Sequence, residues 1–150
     1  EQGLRVATAE SLTGGLVCAA LTSVPGSSAV VRGAVVAYDP EVKVEVLGVE
    51  RSLLARVSAV DPVVAEQMAR GARGLLGADL AVATTGEAGP SSASGAKVGT
   101  VIVAVTDGLT SAVCSRVVAG DRAAVRSATV DLALLALAEH LGNTGRASRR

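Results

Sequence analysis

Residues 4–15 read LRVATAESLTGG, a short apolar run that leads into a small polar cluster and then into two glycines. The run over residues 4–9 predicts a short buried strand, and residues 13–22 predict a helix that ends before the turn VPGS at positions 24–27. Ser11 therefore lies at a strand-to-helix junction, where a serine serves either as a helix cap or as the nucleophile of an enzyme.

The rest of the chain continues to alternate between strand and helix patterns. This order predicts a single three-layer α/β/α domain with a mixed, partly parallel sheet over residues 1–141, followed by a flexible C-terminal tail over residues 142–150. The predicted elements after the first helix are a strand over 29–38, a helix from Pro40 that stops at Gly48, a helical turn over 52–56, a helix over 61–76, strands over 79–85, 100–106 and 111–118, and a helix that Asp121 caps and that runs to 141. The apolar face predicted for the 61–76 helix consists of Val64, Met68, Ala72 and Leu75.

Composition limits the classes of protein to consider. With 150 residues, 49% of them hydrophobic and 19% charged, the chain can bury the core of one folded domain. The formal net charge of zero gives no reason to expect nucleic acid or a membrane surface, and the apolar runs are shorter than the ~18–20 residues that span a bilayer. Cys18 and Cys114 lie far apart in apolar surroundings, which favours buried free thiols in a cytoplasmic protein. The start at Glu1, without a methionine, predicts a trimmed N-terminus.

The chain has few residues with which to build an acid–base site. Its one histidine, His140, lies near the end of the last predicted helix, which disfavours a Ser–His–Asp triad and favours a packing or surface role. A lysine whose pKa falls on burial is the remaining base for Ser11, and Lys43 and Lys97 are the only lysines. Lys43 follows Tyr38 by five residues, and the tyrosine hydroxyl can relay a proton or orient the lysine. An exposed helical lysine and a core tyrosine are the alternatives.

Two further features can bind a ligand. The loop TTGEAGPSSASGAKVGT over residues 84–100 can cradle a phosphate through its N–H groups, or can be an ordinary flexible loop. Arg122 and Arg126, four residues apart on the last helix, can bind a phosphate or carboxylate, or can form a solvated basic face. One histidine and two isolated cysteines do not supply the usual ligands of a metal site. TAESLTGG and TTGEAGP are both expected at the carboxyl ends of strands, where sites in such sheets gather.

Four motifs in this order resemble the CinA C-terminal domain family, whose enzymatic members are nicotinamide-nucleotide amidohydrolases, or NMN deamidases. They are TAESLTGG, TSVPGSSAVVRGAVVAYDPEVKVEVLGV, TTGEAGP followed by KVGTV, and GDRAAVR, and together they cover about residues 4–141. The chain resembles the stand-alone form, without the added N-terminal domain of the larger CinA proteins.

The resemblance implies a Ser/Lys amidohydrolase that needs no cofactor or metal. It implies deamidation of nicotinamide mononucleotide (NMN) to nicotinic acid mononucleotide and ammonia, which serves pyridine nucleotide recycling. The expected partner is a small-molecule pyridine nucleotide, with no nucleic acid or membrane directly implied and a homo-oligomer left open. The implied catalytic residues are Ser11, Lys43 and Tyr38, and the expected substrate-binding residues are Thr13, Gly14, Gly15, Gly86, Gly89, Arg122 and Arg126.

The resemblance departs from the family pattern in one loop. Family members commonly read close to TGIAGPxGG with a proline before VGTV, whereas this chain reads TGEAGPSSASGAKVGTV. Glu87 thus replaces an apolar residue, the paired glycines are absent, and Lys97 replaces the proline. A carboxylate beside a nucleotide site is expected to repel a phosphate. The alternatives to NMN deamidation are a catalytically degenerate domain that binds a ligand or partner, and a Ser/Lys amidase for another small amide.

Overall fold

The computed structural model describes the backbone of residues 3–147 and the side chains of residues 3–143. The elements are β1 (Val6–Glu10), α1 (Leu16–Thr22), a 3₁₀ turn (Ser27–Ala29), β2 (Val31–Val36), α2 (Pro40–Glu45), α3 (Arg51–Val57), α4 (Pro62–Leu76), β3 (Leu80–Gly86), β4 (Thr100–Thr106), β5 (Ser111–Val117) and α5 (Arg122–Ala147).

The five strands form one mixed sheet in the order β2-β1-β3-β4-β5. β1 lies parallel to both β2 and β3, whereas β4 is antiparallel to β3 and to β5. The carboxyl ends of β1, β2, β3 and β5 therefore share one edge of the sheet, and the loops and helices that follow these strands begin there.

Side chains alternate between the two faces of the sheet, and each face packs against a layer of helices. One face presents small residues such as Ala7, Ala81 and Ala104 to the layer of α2, α3 and α4. The other presents larger residues such as Val82 and Val105 to the layer of α1 and α5. This arrangement confirms the predicted three-layer α/β fold.

Small residues allow α4 to pack closely. A Cβ added at Gly71 of α4 would lie 1.9 Å from the carbonyl oxygen of Leu47, in the segment between α2 and α3. Local capping signals fix the ends of α4 as predicted, because the Asp61 side chain accepts a hydrogen bond from Val63 N–H and Gly77 ends the helix with φ 58°.

Several predicted boundaries are wrong. α1 begins at Leu16 and not at residue 13, because Gly14 and Gly15 have φ values of 58° and 100° and break the helical conformation. Leu75 is 57% exposed, so the buried face of α4 is narrower than its apolar pattern indicated. β2 is shorter at both ends than the predicted strand over 29–38.

The C-terminal helix also departs from the prediction. α5 extends to Ala147, so residues 142–147 of the predicted tail are helical, and residues 148–150 lie outside the described residues. Cys18 and Cys114 are free thiols, but they are partly exposed and not buried as expected. In the part of the chain that the structure describes, no helix has the length and apolarity to cross a bilayer.

Candidate active site

The edge where the parallel strands end contains a cavity of about 630 Å³. Ser11 directly follows β1, and its backbone N–H donates to the carbonyl of Thr84 in β3, which fixes it to the sheet. The cavity is lined by residues that follow three strands and by the start of α5; those with polar or charged side chains include Ser11, Tyr38, Lys43, Thr85, Glu87, Ser94 and Arg122.

Ser11 and Lys43 form a buried pair at the base of this cavity. Lys43 is 1% exposed, although it belongs to the short helix α2 after β2. Its Nζ donates to Ser11 Oγ at 3.1 Å, to the carbonyl of Ala37 at 2.6 Å and to the carbonyl of Tyr38 at 3.3 Å. Since the carbonyls only accept, a neutral Lys43 amine keeps its two N–H groups on them and turns its lone pair toward Ser11.

Burial tunes Lys43 for proton transfer. Removal from water lowers its pKa to about 8, despite the opposing effect of the Asp39 carboxylate. An amine with this pKa is partly neutral near physiological pH and can accept the proton of a serine hydroxyl. Lys97, the other candidate base, is exposed and does not line the cavity, which leaves Lys43 as the base available to Ser11.

Glu10 is a structural residue of the site that the sequence analysis missed. Its side chain is fully buried and its carboxylate accepts five hydrogen bonds, two from hydroxyl groups and three from the backbone at the start of α1. The donors are Thr8 Oγ1, Thr13 Oγ1, and the N–H groups of Gly15, Val17 and Cys18. The carboxylate thus neutralises the positive end of α1 from inside the protein. A glutamate at the end of an apolar run was the only signal in the sequence.

This arrangement corrects the predicted roles of the TGG segment. The N–H of Gly15 donates to Glu10, and that of Gly14 donates to the carbonyl of Ser11, so neither is free for an oxyanion. Thr13 is fully buried, with its hydroxyl shared between Glu10 and Thr84. Thr13, Gly14 and Gly15 all lie outside the cavity lining, and Ser11 makes no capping bond to α1.

The N–H of Leu12 is the better candidate for stabilising an oxyanion. Among residues 3–147, the backbone N–H groups of Leu12 and Thr13 have no protein acceptor, and Leu12 also lines the cavity. The N–H of the residue after a serine nucleophile is a common oxyanion donor.

Tyr38 lies at the mouth of the cavity. Its hydroxyl was expected to orient Lys43, but it does not contact the lysine. The side chain is 60% exposed, and its hydroxyl accepts a hydrogen bond from Arg122 at 2.8 Å. The backbone carbonyl of Tyr38, not its phenol, contacts Lys43. The proton-relay role therefore lacks the required contact.

The two arginines of α5 contact different parts of the site. Arg122 lines the cavity, and its guanidinium donates to the carbonyl of Gly89 at 3.0 Å and to the hydroxyl of Tyr38. Arg126 lies outside the cavity lining and donates to the carbonyls of Leu12 and Thr13, which braces the turn that carries the serine. The prediction that either arginine can bind substrate is thus narrowed to Arg122.

The glycine-containing loop after β3 does border the cavity, as predicted. Gly86 and Gly89 both line it, and a Cβ at Gly86 would lie 2.4 Å from the carbonyl oxygen of Thr100. Glu87 lies between them and accepts hydrogen bonds from the N–H groups of Ala93 and Ser94. Burial opposes ionisation of Glu87, but the hydrogen bond from the Ser94 side chain and the two backbone bonds together outweigh it and lower the pKa, so the carboxylate is ionised at neutral pH.

His140 takes no part in the site. Its Nε2 lies 3.4 Å from Asp107 Oδ2, in the turn between β4 and β5, where it packs α5 against that hairpin. Among residues 3–143, no group of three or more His, Cys, Asp or Glu side chains is placed to hold a metal ion.

Fold and site together define an α/β domain with a buried serine–lysine pair at the carboxyl edge of its parallel strands. The family model of the CinA C-terminal domain matches residues 1–141. The chain belongs to the CinA C-terminal domain family.

Named relatives agree with this assignment. The CinA-like protein of Geobacter sulfurreducens is 48% identical over 135 residues, covering 89% of this chain and 33% of that protein. The CinA-like protein of Mycobacterium tuberculosis is 47% identical over 135 residues, covering 88% and 31%. The chain thus spans about a third of the length of these curated relatives.

Solved structures of similar proteins share the fold. The crystal structure of the competence damage-inducible protein A (ComA) from Klebsiella pneumoniae superimposes with a TM-score of 0.90 at 37% identity, covering 94% of this chain and 88% of that one. The competence/damage inducible protein CihA from Agrobacterium tumefaciens gives a TM-score of 0.87 at 41% identity, with coverages of 91% and 85%.

Proposed function

We propose that this domain is an amidohydrolase that deamidates NMN to nicotinic acid mononucleotide and ammonia through Ser11 and Lys43. The observation that supports the chemistry is the 3.1 Å contact between Lys43 Nζ and Ser11 Oγ, with the lysine buried and its pKa lowered. Family membership supports the choice of substrate.

The proposed first step transfers the Ser11 proton to the neutral Lys43 amine as Oγ attacks the carboxamide carbon. The carbonyl oxygen becomes an oxyanion within reach of the Leu12 N–H. Collapse of this intermediate breaks the C–N bond, and the Lys43 ammonium returns the proton to the departing nitrogen, which leaves as ammonia. A water molecule then attacks the acyl-serine, with Lys43 again taking and returning a proton, and the carboxylic acid product leaves.

Arg122 is the proposed phosphate ligand. Its guanidinium uses two donors on Gly89 and Tyr38, and a guanidinium has five, so three remain for an anion. The cavity volume of about 630 Å³ lies within the range of roughly 300–1,000 Å³ common for small-molecule sites. Thr85, Gly86 and Gly89 complete the wall on the β3 side.

Ammonia release from NMN, nicotinamide riboside, nicotinamide and NAD tests this proposal. We expect release from NMN above all, and none from Ser11→Ala protein assayed in parallel. Release from a different amide alone would replace NMN as the substrate but keep the chemistry. Binding of NMN without release from any amide would indicate the alternative, a catalytically degenerate ligand-binding domain.

A further inference from the structure

The wall of the cavity contains a carboxylate without a cationic partner. Glu87 lines the cavity together with Ser11 and Lys43, and its side chain is only 8% exposed. Its two oxygens accept the N–H groups of Ala93 and Ser94 at 3.2 and 2.8 Å. Among residues 3–143, no Lys, Arg or His nitrogen lies within 4 Å of its carboxylate.

These two backbone bonds hold the carboxylate in place but do not neutralise it. A buried charge is stabilised by an opposite charge, and backbone N–H dipoles supply only part of that stabilisation. A carboxylate accepts about four hydrogen bonds, and Glu87 accepts from the backbone of Ala93 and Ser94 and from the Ser94 side chain, which leaves part of its acceptor capacity unused. Lys43 and Arg122, the other ionic side chains of the lining, donate to neutral carbonyl and hydroxyl groups and not to Glu87, so the wall contains a carboxylate that is not ion-paired.

We propose that Glu87 makes this cavity select amides whose ring carries a positive charge, that is, N-substituted pyridinium carboxamides, over neutral ring amides of the same shape. The inference rests on the proposed function only in placing the substrate in this cavity. A pyridinium ring next to Glu87 supplies the missing counter-charge, while Arg122 meets an anionic group on the same molecule. Glu87 is then a specificity residue and takes no part in bond making or breaking.

This arrangement also resolves the expected conflict between Glu87 and a phosphate. The carboxylate and the Arg122 guanidinium stand as separate charges of opposite sign in one cavity wall, with Arg122 bonded to Gly89, two residues beyond Glu87. A ligand with a cationic ring and an anionic tail matches both charges, whereas a ligand with only the anionic tail meets one attraction and one repulsion.

The effect of ring charge can be measured separately from the other contacts by comparing the binding of two ligands to the Ser11→Ala variant, in which the substitution prevents turnover. NMN and its reduced dihydropyridine form share the ribose, phosphate and carboxamide and differ in ring charge. We expect calorimetry to give a Kd for NMN about fivefold lower than for the reduced form, the scale of one partly screened charge pair. Adding Glu87→Gln should bring this ratio close to one. Glu139→Gln, which removes an exposed carboxylate of α5, is the matched control and should leave the ratio unchanged.

The ratio distinguishes charge selection from a merely structural effect. If Glu87 only anchors the loop over residues 91–94, Glu87→Gln weakens both ligands by the same factor, and that result would overturn the proposal. The same comparison with 1-methylnicotinamide and nicotinamide removes the phosphate. If the preference for the cation depends on Glu87 but wild type releases no ammonia from NMN, the proposed function alone is refuted. If wild type releases ammonia from NMN but Glu87→Gln leaves the Kd ratio unchanged, the charge selection alone is refuted. Failure of all four compounds to bind refutes both.

Discussion

Replacing Lys43 tests the proposed mechanism most directly, because this side chain contacts Ser11 Oγ and burial lowers its pKa. Only its neutral form can take the proton of Ser11, and with a pKa of about 8 roughly a tenth of the molecules are neutral at pH 7. About half are neutral at pH 8 and about nine-tenths at pH 9. We therefore expect kcat/KM for NMN to rise about tenfold between pH 7 and pH 9 through one ionisation.

Three variants at this position separate proton transfer from charge. Lys43→Arg keeps a positive group but has no basic nitrogen to offer at these pH values, and Lys43→Met keeps the length without charge. If Lys43 is the base, both variants and Lys43→Ala lose at least about 100-fold in kcat, the usual contribution of a general base. Initial rates of ammonia release across pH 6–10 measure this, with circular dichroism as the check on folding. A Lys43→Arg enzyme that retains much of the wild-type rate with an unchanged pH profile would refute the Ser/Lys mechanism.

The same pKa has a consequence for stability with a definite sign. Lys43 binds its proton less tightly in the folded state than in the unfolded chain, where its pKa is near 10.5. Between pH 8 and 10.5 the unfolded state therefore holds more protons, and the free energy of unfolding rises with pH by up to about 3 kcal/mol from this residue. Thermal unfolding of wild type against Lys43→Met isolates this contribution, since the variant lacks the ionisation. A difference between the two that stays flat across this pH window would show that Lys43 is not desolvated as the structure indicates.

The remaining predictions concern single contacts. Ser11→Ala should abolish ammonia release and lower the free energy of unfolding by only about 1 kcal/mol, because one hydrogen bond to Lys43 is lost; a near-wild-type rate would refute the nucleophile. Arg122→Ala should raise KM for NMN on the order of tenfold more than for nicotinamide riboside, which lacks the phosphate, whereas Arg126→Ala should affect both substrates alike because it contacts only the backbone of the serine turn. Asp107, 19% exposed, has a pKa lowered to about 2, chiefly by the Thr110 N–H, so its stabilisation is full above pH 4 and is lost as pH falls through 2. The free energy of unfolding of wild type should therefore exceed that of Asp107→Asn by about 2 kcal/mol at pH 7, and the two values should converge near pH 2. A difference that persists at pH 2 would contradict the lowered pKa of Asp107.

Local signals predicted those features that depend on neighbouring residues in the chain. Asp61-Pro62 and Gly77 gave the bounds of α4, because a cap, a first-turn proline and a left-handed glycine each act within a few residues. The pairing of Ser11 with Lys43 was predictable by a different route. In a chain with one histidine and two lysines, the choice of bases is so small that elimination left two, and the structure places one of them in contact with the serine.

Features that depend on distant residues were not predictable in the same way. Arg122 and Arg126 share a pattern on the helix, yet one reaches Gly89 across the cavity and the other reaches the serine turn. The packing of α5 on the sheet decides which backbone carbonyls each guanidinium contacts. The spacing of the two arginines along the helix does not predict that packing. The exposed side chain of Tyr38 is a similar case, since its carbonyl and not its hydroxyl holds Lys43.

The turn that carries Ser11 is held from two sides by charges that do not touch the cavity. From inside, the Glu10 carboxylate accepts the N–H groups at the start of α1, and from outside, Arg126 donates to the carbonyls of Leu12 and Thr13. These bonds satisfy the N–H groups of Gly15 and Val17 and the carbonyls of Leu12 and Thr13, and so fix the conformation of the turn while the N–H groups of Leu12 and Thr13 stay without a protein acceptor. The Glu10 carboxylate occupies the N–H groups at the positive end of α1, so these groups are not available to an anionic ligand. In the proposed function, the Leu12 N–H therefore stabilises the developing oxyanion and Arg122 binds the phosphate, because both residues line the cavity, whereas the start of α1 does not.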